Sequence, residues 1–293
     1  MRKVTAISSA VVSAIFLLCI SACTTATSTS APASGPNTSS GTGTPSAKTS
    51  AVVFVHPGEL TVCTNPPYAP FETLKGTQIG GLDMDIMKKV ANSLGVTLKP
   101  INTPFEQIES GAALNAGNCD VLASGMTINA TRATKFNFSA PYYTDQAGVL
   151  TKDSSITNVA TLKNKKIVVQ RATITEDWVK NKGLTYVETT DLGTQIQTVK
   201  SGQADAAITD VAVLAPYATG NYHIAFTITM GGQYGFGVNK TNTGLLTTIN
   251  NTLHTMTSDG TMTALYKKYS IPTSSLVTYD TTGKPTTPNT PTG

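Results

Sequence analysis

The chain of 293 residues has few of the groups from which catalysis or metal binding is usually built. It has three histidines, His56, His223 and His254, scattered without metal-ligand spacing, so no metal site is expected. No GxSxG, HExxH, P-loop or dinucleotide-binding fingerprint occurs, so the common hydrolase, metalloprotease and nucleotide-enzyme signatures are missing and no cofactor is expected. No run of basic residues is present. The formal charge of +4 falls by two if Arg2 and Lys3 are removed with a leader, which argues against a nucleic-acid partner. Past the first two dozen residues no segment is long and apolar enough to cross a membrane.

What is present begins with an address. Arg2 and Lys3 precede a largely apolar run, Val11 to Ile20, closed by Ser21-Ala22-Cys23. A short basic region, a short apolar core and small residues describe a secretory leader over residues 1–23. Ser-Ala-Cys resembles a bacterial lipobox, in which Cys23 takes lipid and holds the protein on the extracytoplasmic face of the cell membrane. Residues 24–54 then read as a flexible linker, almost entirely Ser, Thr, Ala, Gly and Pro up to about Ser50. Such a composition cannot bury enough apolar area to offset its ordering entropy, and about 30 residues of it reach roughly 30 Å. Residues 276–293 read as a flexible tail of similar Thr/Pro/Gly character. With Cys19 in the leader and Cys23 lipidated, Cys63 and Cys119 remain in an oxidising compartment. They either form a disulfide, the favoured reading, or stay as buried thiols.

Between these ends, strands alternate with helices, which implies parallel sheets covered by helices. Leu60–Cys63 is the first expected strand. It opens into Thr64-Asn65-Pro66-Pro67-Tyr68-Ala69-Pro70-Phe71, whose three prolines deny regular structure and hold Tyr68 and Phe71 on a stiff turn. A helix follows Gly81, with Ile86, Val90 and Leu94 on one face and Gly95 as its stop. Val96–Pro100 is a strand, Phe105–Ala116 a helix, and Val121–Ala123 a central strand. A second block repeats the pattern from Lys166 to Asp210. In open sheets ligands sit at the carboxyl ends of the strands. Arg132 lies just past one such end and Asp210 at another. An arginine fork is suited to a carboxylate, while an aspartate suits an ammonium or the cap of the next helix. Connections at 142–152 and 231–238 would form a hinge.

The ordered motifs TNPPYAPFE, GGLDMDIM, NAGNCDVLASGMTINATR, FSAPYY, VVQRATITEDW, GQADAAITD and SDGTMTALYKKY span about residues 60–271. Together they resemble the extracytoplasmic solute-binding proteins of polar amino-acid ABC importers. The resemblance implies a two-lobed type II periplasmic-binding-protein fold, α/β, with a mainly parallel sheet in each lobe and two hinge segments. Lobe 1 would comprise 55–147 and 237–275, and lobe 2 residues 148–236. It also implies a monomeric receptor that closes on a free amino acid and delivers it to a permease. Arg132 would grip the α-carboxylate, aided by the Gly125 backbone, the Thr127 hydroxyl and Thr173, and Asp210 would take the α-ammonium. Tyr68 and Phe105 would line the pocket, unless they are ordinary core aromatics. Asn65 stands where binders of basic amino acids often carry an acid, which favours a polar, not strongly basic, ligand. Arg171 would favour an acidic ligand if it faced the pocket. Ala172 departs from the family's usual glycine, and Ile174 offers only its backbone. Two other classes stay open: a dehydratase on the same scaffold, and a solute sensor without transport.

Overall fold

The computed structural model describes residues 51–286. The leader, Cys19, Cys23, the linker up to residue 50 and residues 287–293 lie outside that range. The first lobe begins with β1 (Glu59–Thr64), the hairpin β2 (Thr73–Lys75) and β3 (Gln78–Gly80), α1 (Leu82–Leu94) and β4 (Thr97–Asn102). It continues with α2 (Phe105–Glu109), α3 (Ala112–Asn115), β5 (Val121–Leu122), α4 (Ala130–Ala133) and β6 (Asn137–Phe138). The second contains β7 (Tyr143–Thr151), β8 (Lys166–Gln170), α5 (Ile174–Asn181), β9 (Thr185–Thr189), α6 (Leu192–Lys200), β10 (Ala206–Asp210), α7 (Val211–Leu214) and β11 (His223–Tyr234). The chain then returns to the first lobe through β12 (Gly237–Val238), α8 (Thr243–Ser258) and α9 (Thr261–Lys268).

The two five-stranded sheets have the same plan. In the order β4-β1-β5-β12-β6 the first three strands are parallel, and β12 runs antiparallel to both neighbours. In the order β11-β7-β10-β8-β9 the last three are parallel, and β7 runs antiparallel to both neighbours. Side chains alternate across each sheet, as the period of two requires. Leu60 and Val62 of β1 join the cluster containing α1 residues Ile86 and Val90, whereas Cys63 joins Phe105, Ile108 and Phe136 on the opposite face. In β8, Ile167 and Val169 pack with Val179 of α5, and Val168 packs with Leu192 and Ile196 of α6. Cys63 and Cys119 are joined, with Cα atoms 5.7 Å apart. Among the described residues no helix is long and apolar enough to cross a membrane.

Five expectations need correction. The helix expected over 105–116 is two pieces, broken at Gly111, which adopts φ 74°. A Cβ there would lie 3.0 Å from the Phe136 ring, so the close approach needs glycine. The lobe boundary at 147/148 cuts through β7, which pairs continuously with the second sheet from Tyr143. Both expected hinge connections run into paired strands, with Tyr143 opposite Tyr234, because the backbone must satisfy its polar groups as it passes between lobes. The linker ends earlier than residue 54: Val52 and Phe54 pack on the core, and the Val53 carbonyl accepts from the Asn242 side chain at 2.6 Å. The tail is held as far as residue 286. Val277 is buried, Leu276 bridges to Tyr143, and the Tyr279 ring lies 4.4 Å from that of His254.

Candidate functional site

The carboxyl ends of β1, β5, β8 and β10 converge on one cavity between the lobes. All eight residues singled out from the sequence line it: Asn65, Tyr68, Phe105, Gly125, Thr127, Arg132, Thr173 and Asp210. Ser124, Gln170, Ile174, Thr175 and Thr209 complete the wall. Gln170 and Thr209 escaped the sequence reading. Their signal was positional, since each is a polar residue at the carboxyl end of an otherwise apolar strand.

Arg132 stands on the short helix α4, capped by the Asn129 side chain. Its Nη1 donates to the Thr127 carbonyl at 2.9 Å, and its Nη2 reaches the Ala172 carbonyl of the other lobe at 3.0 Å. The guanidinium carbon sits 5.5 Å from the Phe105 ring centre, within cation–π range. Burial pulls the guanidinium below its ordinary pKa, and Glu109, 3.8 Å from Nε, opposes that shift together with Asp177. The first turn of α5 also abuts the cavity, through Thr173, Ile174 and Thr175. A buried arginine and a helix N-terminus facing one cavity make an anion site.

The opposite charge comes from Asp210. It occupies the N-cap position of α7, yet its side chain makes no capping bond. Its Oδ2 instead accepts from the hydroxyls of Tyr68 and Tyr234, and Tyr68 also meets Thr209 Oγ1 at 3.0 Å. Burial, with Asp210 and Asp145 nearby, pushes both phenols up, so they remain donors. Tyr234 was not anticipated from its glycine-rich sequence context.

Some expected roles change. The Gly125 N–H donates to Asp83 Oδ2 at 3.2 Å and is therefore committed beneath the cavity floor. Gly125 serves by lacking a side chain: with φ 47°, a Cβ would stand 3.0 Å from the Tyr68 ring. The Thr173 hydroxyl caps α5 at Glu176 N and donates to the Gln170 carbonyl, so its proton is already used. Asn65 Oδ1 accepts from Gln170 Nε2 at 3.0 Å across the cleft, and its Nδ2 donates to the Thr103 carbonyl. Arg171 is absent from the cavity wall and pairs with Glu106 on the other lobe. Ala172 adopts φ 64°, the left-handed conformation that explains a preference for glycine there.

Beneath Gly125 lies a buried acid pair, Glu72 and Asp83. Asp83 accepts from Tyr142 Oη at 2.6 Å, and burial with Asp83 alongside pushes Glu72 well above its ordinary carboxylate pKa. Burial raises Asp83 as well. For a raised carboxyl the folded state binds more protons, so its contribution is complete below the ordinary carboxylate range and is lost as pH rises through the folded value. Glu72→Gln should therefore flatten the fall in thermal stability between pH 5 and pH 8. An unchanged slope in that variant would show that Glu72 is ionised in the fold.

Residues 60–272 match the family described as bacterial extracellular solute-binding proteins, family 3. The chain belongs to this family. A glutamine-binding ABC-transporter protein of Bacillus subtilis is 30% identical over 202 residues, covering 66% of this chain and 73% of its own length. An ancestral arginine-binding protein, solved with arginine, superposes with TM-score 0.68 at 32% identity, covering 72% of this chain and 98% of its own. An ancestral amino-acid-binding protein, a precursor of cyclohexadienyl dehydratase, gives TM-score 0.67 at 33% identity, with 72% and 95% covered. As a family 3 solute-binding protein, the chain has the two-lobed fold that its motifs implied. Among its described residues no cluster of His, Cys, Asp and Glu is arranged to hold a metal.

Proposed function

We propose that this family 3 protein is a receptor that closes its two lobes on a free, neutral, polar amino acid and passes it to an ABC permease. The observation that carries this reading is the placement of buried Arg132 and Asp210 around one cavity, a fixed cation and a fixed anion held for a zwitterion. A zwitterion leaving water needs both charges met. The remaining polar wall, with Asn65, Ser124, Gln170, Thr175 and Thr209, carries no further charge, which suits an uncharged polar side chain. The Ser-Ala-Cys sequence supports export and lipid attachment at Cys23, which lies outside the described residues. In this reading the protein acts as a monomer and performs no chemistry on its ligand. The cavity wall's one acid, Asp210, already accepts from two tyrosines, so it does not supply the general acid a dehydratase needs.

Thermal unfolding against the twenty amino acids, after refolding to strip carried ligand, tests the reading. A true ligand at 100 times its Kd should stabilise the fold by about 2.7 kcal/mol. One strong hit, or a few related ones, returned chemically unchanged, is the expected result. Twenty blanks, or a new ultraviolet absorbance from a cyclic carboxylic acid, would overturn it.

A further inference from the structure

A second aspartate stands behind Asp210. On β7, Asp145 lies opposite Gly232 of β11, and Ala147, two residues on, lies opposite Asp210 of β10. The period of two puts the side chains of Asp145, Ala147 and Asp210 on one face of the sheet. A Cβ at Gly232 would crowd Thr127 at 3.1 Å and stand in ordinary contact with Asp145 Cβ at 3.7 Å, so Asp145 sits directly beside that strand. Asp145 is 5% exposed, and its Oδ1 has no ordinary donor. The titratable groups that face it are acids and phenols, Asp210 on β10, Tyr143 on its own strand, Tyr234 on β11 and Tyr68 from the first-lobe loop, and the Gln146 backbone N–H opposes them. Arg132 is the buried cation nearby, and it is engaged with Thr127, Ala172 and Glu109. Two ionised carboxylates at such a spot would repel each other, whereas one proton between them removes the conflict.

We propose that Asp145 is a positioning residue that carries a proton and donates it to the Asp210 carboxylate, so that the pair presents one negative charge to the ligand ammonium. Burial, followed by the neighbouring Asp210, pushes the Asp145 carboxyl well above its ordinary value, in keeping with that arrangement. With Tyr68 and Tyr234, Asp210 is then fixed by three donors. The wall presents one anion and one cation, the charge pattern of a single amino-acid backbone. The proposal rests on the receptor reading for its ligand, but the proton can be observed without one.

Carbon-13 spectra of the purified protein with labelled aspartate count protonated carboxyls at pH 7. Wild type should show one such carboxyl that disappears in Asp145→Asn and persists in Asp83→Asn. If every aspartate carboxyl affected by Asp145→Asn is ionised at pH 7, the proposal is overturned. Calorimetry with L-glutamine as probe gives the functional arm. Asp145→Asn, which keeps a donor, should bind within about threefold of wild type, whereas Asp145→Ala should bind at least tenfold more weakly. Equal loss in both variants would leave Asp145 a packing residue and sink the proposal. Absence of glutamine binding in wild type counts against the ligand class alone, and the carboxyl count then decides the proton.

Discussion

Arg132→Ala is expected to weaken amino-acid binding by about 2–5 kcal/mol, roughly thirty- to several-thousandfold. The residue is 3% exposed, so its charge gives up most of its hydration and recovers it through fixed partners. Thr127 and Ala172 carbonyls hold two of its nitrogens, and the Phe105 ring packs within reach of its charge. The fork is thereby preorganised. Alanine would leave a carboxylate buried against the α5 N-terminus with no cation beside it. Lysine would restore the charge without the planar fork and should recover only part of the loss. Because Arg132 also bonds across the cleft to Ala172, unfolding of the ligand-free variant must be measured alongside calorimetry. Affinity equal to wild type in a stably folded Arg132→Ala protein would remove the carboxylate assignment. Asp210→Ala should act comparably at the other end of the ligand.

Much of this site was legible in the sequence because its residues lie at strand ends that the apolar pattern marks clearly. The strands at Leu60 and Val121, and the helix closed by Gly95, follow from periodicity and a left-handed stop at φ 68°. Asp210 shows the limit of such reading. An aspartate between a strand and a helix is equally good as a cap or as a ligand, and only the three-dimensional placement of Tyr68 and Tyr234 separates the two. The strand β11 escaped because its pairing with β7 is broken by irregularities and consecutive glycines interrupt its sequence before Gln233. The acid pairs escaped for a different reason. Glu72 lies 11 residues from Asp83, and Asp145 lies 65 from Asp210, so no local pattern announces that each pair shares a buried space. The Asn65–Gln170 and Arg171–Glu106 contacts likewise join segments of different lobes, and exist only once those lobes meet.

Breaking the Cys63–Cys119 bond should carry the other large effect, on stability more than on binding. The bond closes a loop across a sequence separation of 56, for which the chain-entropy account gives about 4 kcal/mol. For a folded part of this size that corresponds to a fall in melting temperature of about 8–16 °C. Both cysteines are buried in the cluster that contains Phe105, Ile108, Met126 and Phe136. That cluster lies under the cavity wall, because Cys63 is two residues before Asn65 and Phe105 lines the site directly. The double variant Cys63→Ser, Cys119→Ser should therefore melt well below wild type. While folded it should still bind the amino acid, since Arg132 and Asp210 are held by α4 and β10 and not by the bond itself. Reductant should reproduce the shift in wild type and leave the double variant unmoved. Recovery of two alkylated thiols from unreduced, denatured wild type would show that the bond does not form, and the stability of the first lobe would then have to come from its apolar cluster alone.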